Sequence, residues 1–158
     1  MRLVSSTVIR ATPEAVSLFF ADMAENYLRW HPDHVLFRWE GKGGLHADAR
    51  FNFEERIAGK RLKKRMRFTR ILAGRLIEFA PTNPLFRLVL PSIAFEIEPE
   101  GDGVRVTQTI HIRTGPLGAW FKRDEFAAVR KHMDDEGANL KRILEEEAAG
   151  GPAQPEPG

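Results

Sequence analysis

Hydrophobic and polar residues alternate along most of the chain with the period of two that is typical of β-strands. The alternation begins at residues 3–9, resumes at 35–40 and continues, with breaks at glycine-containing turns, from 47 to 79. Two further alternating stretches, residues 92–98 and 104–113, flank a Gly-Asp-Gly sequence that favours a hairpin turn. The pattern predicts six to seven strands, mostly antiparallel.

Helical spacing of apolar residues replaces this alternation in three places. Thr12 followed by Pro13 is typical of a helix start, because threonine caps the first turn and proline needs no amide partner there. A second short helix is predicted over residues 25–30, ended by Pro32. The longest helix, of about six turns, is predicted from residue 121 to 147, where apolar residues recur every three to four positions.

Two segments fit neither period. Residues 80–91 carry three prolines within an apolar stretch, which argues against a central strand and predicts a loop or lid over something apolar. Residues 149–158 are rich in Gly, Pro, Gln and Glu, and they predict a disordered tail.

The order of these elements predicts an α+β fold. The long C-terminal helix is the one long amphipathic element available to cover a face of the curved antiparallel sheet, so we expect the sheet to wrap on it. With two short helices after the first strand, this order resembles the START-like helix-grip fold of the SRPBCC superfamily over residues 1–148, which we expect to form a single domain. The resemblance implies a ligand cavity between sheet and helix.

The amino-acid composition excludes several kinds of site and partner. The 158 residues include five histidines and no cysteine, which excludes disulfides, thiolate metal sites and a cysteine nucleophile. The net charge of +2 is too small to indicate a nucleic-acid partner. No apolar run is long enough for a membrane span or a signal peptide, so we expect a cytoplasmic protein with no membrane partner. The oligomeric state stays open, a homodimer included.

The first candidate motif is Trp30-His31-Pro32-Asp33-His34, where a helix meets a strand. Such a junction can aim an imidazole into a cavity. The alternative is a capped turn with both histidines at the surface.

The second motif lies in the strand around Glu55. Alternation places Glu55 on the same face as Phe51, Phe53 and Ile57, pointing inward. A buried carboxylate is costly unless it is paired, protonated or bound to a metal. The alternatives are a register break that leaves Glu55 outside, or an ion pair with an arginine. Glu54 faces outward and is expected to be solvated.

The third motif is His132 and Glu136 on the long helix, four residues apart and so able to reach one ion. Both lie at the border of the apolar stripe, and Gly137 beside them indicates that something approaches the helix closely. The alternative is an ordinary surface pair. A fourth feature, the basic run at residues 60–67, most simply forms the solvated face of a strand.

Two histidines and two glutamates from three elements form a ligand set suited to zinc, and less to iron or manganese. The motifs, in this order, resemble the diacetylphloroglucinol hydrolase family of zinc-dependent enzymes, which cleave a carbon–carbon bond between an acyl group and a phenolic ring. The resemblance implies metal ligands at His31, Glu55, His132 and Glu136. Its histidine spacing is one residue longer than in this chain, so His34 competes with His31 for the ligand position.

The function expected from this resemblance is zinc-dependent hydrolysis of a carbon–carbon or related acyl bond in a small apolar or phenolic ketone. Cleavage needs a proton donor for the leaving carbanion, and His34, Asp33 and Tyr27 are the candidates near the same corner. Tyr27 is the chain's single tyrosine, whereas that family grips the phenol with several. The alternatives are a carrier of hydrophobic molecules or lipids, and a polyketide cyclase-like enzyme without metal.

Overall fold

A seven-stranded antiparallel sheet forms the centre of the molecule in a computed structural model, which describes residues 1–113 and 123–150. The strands are β1 (Arg2–Ile9), β2 (His34–Glu40), β3 (Arg50–Ile57), β4 (Lys60–Leu72), β5 (Leu76–Pro81), β6 (Ser92–Glu100) and β7 (Gly103–His111). Their spatial order is β1-β7-β6-β5-β4-β3-β2. The strands β1 and β2 therefore lie at opposite edges of the sheet, and β2 to β7 follow one another across it until β7 pairs with β1. The helices are α1 (Pro13–Ala21), α2 (Met23–Trp30), α3 (Pro84–Val89) and α4 (Arg123–Ala148).

The helix start predicted from Thr12 and Pro13 is confirmed at α1. The Thr12 hydroxyl accepts a hydrogen bond from the Ala15 amide at 3.1 Å, and Pro13 opens the helix. The second helix ends at Trp30, and His31 takes an extended conformation before Pro32. The helix-grip architecture is confirmed.

Helix α4 crosses the concave face of the sheet and is tied to β1 by polar contacts. Ser5 donates to Asp134 at 2.6 Å, and Lys141 donates to the Val8 carbonyl at 3.2 Å. The close approach expected at Gly137 is confirmed: a Cβ added there would overlap Thr7 Oγ1 on β1. The missing side chain therefore lets α4 lie directly against the sheet.

The prediction of a loop over residues 80–91 is wrong in its secondary structure. Pro81 ends β5, and Pro84 opens α3, where proline's missing amide costs nothing. The Asn83 side chain caps α3 by accepting from the Leu85 amide at 2.9 Å. The segment nevertheless lies against the apolar cavity described below, and Phe86 is one of the residues that line it.

Two expectations lie partly outside the described residues. The predicted start of the long helix at 121–122 and the predicted disordered tail at 151–158 fall there, although residues 149 and 150 form a turn after α4. Within residues 1–113 and 123–150, no helix is long and apolar enough to cross a membrane.

Candidate functional site

The concave face of the sheet, α4 and α3 enclose a cavity of about 400 Å³. Most of its wall is apolar, and it includes the aromatic rings of Phe51, Phe53, Phe68 and Phe79 from the sheet. This wall suits a small, largely apolar ligand.

A group of charged side chains interrupts the apolar wall. Glu55 from β3 and His132 and Glu136 from α4 line the cavity, although each is less than 10% exposed. The expected inward direction of Glu55 is confirmed, together with its neighbours Phe51 and Phe53. Because β3 and α4 face each other across the cavity, Glu55 and His132, which are 77 positions apart in the chain, meet there.

His132 lies at the centre of this polar cluster, which comprises His34, Glu55, His132 and Glu136. Its Nε2 atom is 3.2 Å from Glu55 Oε2 and 3.5 Å from Glu136 Oε1. Even so, His132 Nε2 is a buried nitrogen without a hydrogen-bond partner in the described part of the chain. Such an orphaned atom is costly unless a further group satisfies it.

His34 completes the cluster from the start of β2. A bulge between His34 and Leu36 breaks the pairing of β2 with β3 and turns His34 inward, where its side chain is fully buried. His34 Nδ1 donates to the Tyr27 carbonyl at 2.7 Å. Its Nε2 atom lies 3.1 Å from Glu136 Oε2, so the second ring nitrogen is aimed at the cluster.

His31 is also buried but is oriented differently. Its Nδ1 atom accepts a hydrogen bond from the Asp33 amide at 2.9 Å, so in the neutral ring the proton lies on Nε2. That Nε2 atom lies 3.6 Å from Asp135 Oδ2. The His31 ring packs on the His132 ring, with centroids 4.2 Å apart.

The other two predicted proton donors occupy different surroundings. Asp33 is 53% exposed, outside the cavity wall. Tyr27 lines the cavity and stacks on His34, with ring centroids 3.9 Å apart. Its hydroxyl donates to the Glu54 carbonyl at 3.3 Å, and burial together with nearby carboxylates raises the pKa of Tyr27 far above its ordinary value.

Sequence reasoning missed Lys64. Its Nζ atom donates to Glu55 Oε1 at 2.9 Å, and its side chain is only 14% exposed. One alternative for Glu55 predicts an ion pair, but with an arginine as the partner. The signal was present, because alternation in β4 puts Lys64 on the same face as the buried residues Met66 and Phe68.

The rest of the basic run largely meets expectation. Arg61, Lys63 and Arg65 are exposed on the opposite face of β4. Glu54 was expected to be merely solvated, and here the prediction is wrong: its side chain is 13% exposed and pairs with Arg61 and Lys63.

Neighbouring charges shift the pKa values of Glu55 and His132. Burial raises the pKa of Glu55, but the Lys64 ammonium and the His132 imidazole outweigh it and hold that pKa below its usual range. Burial lowers the pKa of His132, but the carboxylates of Glu55 and Glu136 outweigh it and raise that pKa above its ordinary value. Without a bound cation, these carboxylates favour an imidazolium at His132.

The donor atoms fit a metal ion. Two sets of three side chains, His34–Glu55–His132 and His31–Asp33–His132, bring ligand atoms within 4.8 Å of one another. The first set is entirely buried and includes the orphaned Nε2 of His132, whereas the second depends on exposed Asp33. Imidazole nitrogens and carboxylate oxygens are ligands that zinc accepts.

Comparison with known proteins assigns the family. The family model described as polyketide cyclase/dehydrase and lipid transport matches residues 1–145, so the chain belongs to that family. No curated protein matches the chain.

Solved structures with this architecture cover most of the chain. A protein from Thermus thermophilus, TTHA0849, has 15% identity and a TM-score of 0.72, over 94% of this chain and 99% of that one. The Aha1 dimer from Colwellia psychrerythraea has 14% identity and a TM-score of 0.65, over 92% and 96%. The di-domain ARO/CYC StfQ of the steffimycin biosynthetic pathway has 13% identity and a TM-score of 0.63, over 94% of this chain and 51% of that one.

At these identities the solved structures establish the fold alone. The family supports the expected binding of small hydrophobic molecules and the cyclase-like alternative. Neither the family description nor these neighbours points to zinc or to a hydrolase, so the expectation of a metal rests on the geometry of the site and the expectation of a hydrolase on the sequence motifs.

Proposed function

We propose that this member of the polyketide cyclase/dehydrase and lipid transport family is an enzyme that acts on a small, largely apolar ketone in the cavity. The reaction centre is the polar cluster, with a zinc ion bound by His34, Glu55, His132 and Glu136. The observation that carries the proposal is the buried Nε2 of His132, which lies between two carboxylates but makes no hydrogen bond in the described part of the chain.

Hydrogen bonding supports the choice of His34 over His31 as a ligand. His34 Nδ1 is occupied by the Tyr27 carbonyl, which leaves Nε2 to carry the lone pair that a metal needs. His31 Nδ1 already accepts from the Asp33 amide. We therefore assign the ligand position to His34 and a packing role beside His132 to His31.

The bound ion would supply Lewis acidity at the ketone carbonyl. The aromatic wall holds the apolar part of the ligand and excludes water around the polar cluster. Tyr27 lines the cavity and remains our candidate donor for the leaving carbanion, a role in which its hydroxyl would turn from the Glu54 carbonyl to the ligand. Asp33 is too exposed for that role, and His34 acts as a ligand instead.

The bond changes of the hydrolytic reaction are simple. Water adds to the carbonyl carbon, the bond from that carbon to the aromatic ring breaks, and the ring carbon takes a proton. The products are a carboxylic acid and the deacylated phenol.

Elemental analysis of protein purified without a His tag tests the metal. We expect one zinc per chain, lost in His132→Ala, Glu55→Gln and His34→Ala. It should be retained in His31→Ala and in the control His46→Ala, which changes an exposed histidine. Retention in His34→Ala with loss in His31→Ala would refute the ligand choice, and metal-free wild-type protein would refute the site. Acetate release from trihydroxyacetophenone then tests the reaction.

A second candidate is favoured by the Lys64–Glu55 ion pair and by the raised pKa of His132. In protein without metal, the Lys64 ammonium and a protonated His132 would compensate the carboxylates of Glu55 and Glu136. A metal-free cyclase-like enzyme that uses His132 as its acid would require this compensation. The same zinc measurement separates the two candidates. A metal-free protein that converts a polyketide-like substrate, and loses this activity in His132→Gln, would establish the second.

A further inference from the structure

The buried ammonium of Lys64 is a charged group of the cavity that the reaction proposed above does not use. Its side chain is 14% exposed, and Nζ lies 5.5 Å from the centroid of the Phe53 ring. Lys64 is also among the residues that line the cavity. A ligand in the cavity can therefore reach this ammonium.

Charge balance leaves a net positive charge at Lys64 in the zinc-loaded site. The carboxylates of Glu55 and Glu136 carry two negative charges, which a divalent zinc ion cancels. Glu55 presents Oε2 toward His132 and Oε1 toward Lys64, so both cations draw on the same carboxylate. When zinc is bound, one positive charge at Lys64 remains inside an apolar cavity, where an uncompensated charge is costly.

The other cations of β4 beside the cavity differ from Lys64. Arg61 and Lys63 are 52% and 73% exposed, and both pair with Glu54 on the opposite face of the strand. Lys64 is therefore the buried cation of β4 in a cavity whose wall is mostly apolar.

From this arrangement we propose that Lys64 forms an anion subsite, and that the physiological ligand is an apolar molecule bearing a carboxylate or phenolate. This inference rests on the proposed zinc site, because in zinc-free protein Glu55 alone compensates Lys64. Zinc and an anionic ligand should therefore bind cooperatively.

Calorimetric titration with a matched pair of probes, anionic 2-naphthoate and neutral 2-naphthamide, tests the subsite. Zinc-loaded wild-type protein should bind 2-naphthoate roughly tenfold more tightly than 2-naphthamide, as a charge-assisted contact would give. Removing zinc with a chelator should reduce this preference. Lys64→Met should abolish it while still binding 2-naphthamide, and Lys64→Arg should keep it.

Lys60→Met is the matched control, because Lys60 lies on the same strand, is 69% exposed and pairs with Glu125 outside the cavity. It should behave as wild type. Equal affinity of the zinc-loaded wild type for both probes, or a preference that survives Lys64→Met, would overturn the subsite and leave the zinc site standing. Failure of the wild type to take up zinc would refute the proposed function and the charge balance with it.

Discussion

Gly137 provides a test of how α4 is seated on the sheet. Alanine is about 1 kcal/mol better than glycine in a helix interior. In this chain, however, the new Cβ would overlap Thr7 Oγ1, and overpacking of this kind costs about 1–3 kcal/mol. We therefore expect Gly137→Ala to lower the free energy of unfolding by about 1 kcal/mol, against the intrinsic helix preference.

The sign should reverse once Thr7 loses its hydroxyl. The Thr7 Cβ is 3.6 Å from the added Cβ, which is an ordinary contact. In a Thr7→Ala background, Gly137→Ala should therefore stabilise the protein by about 1 kcal/mol, which makes the coupling between the two sites about 2 kcal/mol. Urea unfolding of the wild type, both single variants and the double variant measures this cycle.

The outcome also bears on the polar cluster. If α4 lifts to relieve the overlap, His132 and Glu136 move away from Glu55 on β3, so zinc affinity should fall in Gly137→Ala and recover in the double variant. A single variant as stable as wild type, or a coupling near zero, would refute the close seating of α4.

Three further predictions concern other parts of the structure. Trp30→Phe removes the indole donor to the Glu136 carbonyl, 2.9 Å away, and should cost about 1 kcal/mol of unfolding free energy; an unchanged urea midpoint would contradict it. Asn83→Ala removes the cap of α3 and should speed amide exchange in that helix without a comparable change in α4. In zinc-free protein, the raised pKa of His132 means that its stabilising contribution is complete below its unfolded pKa and is lost as pH rises through its folded pKa. Relative to wild type, His132→Gln should therefore lose more stability at pH 6 than at pH 8, and an equal loss at both would contradict the ion pairing.

Periodicity was sufficient to predict the elements that carry the cluster. Alternation placed Glu55 on the buried face of β3, and the four-residue spacing placed His132 beside Glu136. Both signals are local, and burial of one face enforces them.

The choice between His31 and His34 could not be predicted, because it depends on a bulge after His34 and on hydrogen bonds to Tyr27 and Asp33. The hydrophobic periodicity of the sequence predicts neither the bulge nor these hydrogen bonds. Lys64 was readable from the alternation of β4, but its pairing with Glu55 depends on the register of two strands. Three prolines obscured α3, although Asn83 before Pro84 is a recognisable helix start.

The most direct test of the account is a crystal structure of zinc-loaded protein with anomalous data collected at the zinc edge. The account predicts one anomalous peak at roughly 2.0–2.2 Å from Nε2 of both His34 and His132, with Glu55 and Glu136 oxygens completing the coordination. It would be contradicted by an absence of anomalous density in the polar cluster. A peak between His31 and Asp33 would also contradict it.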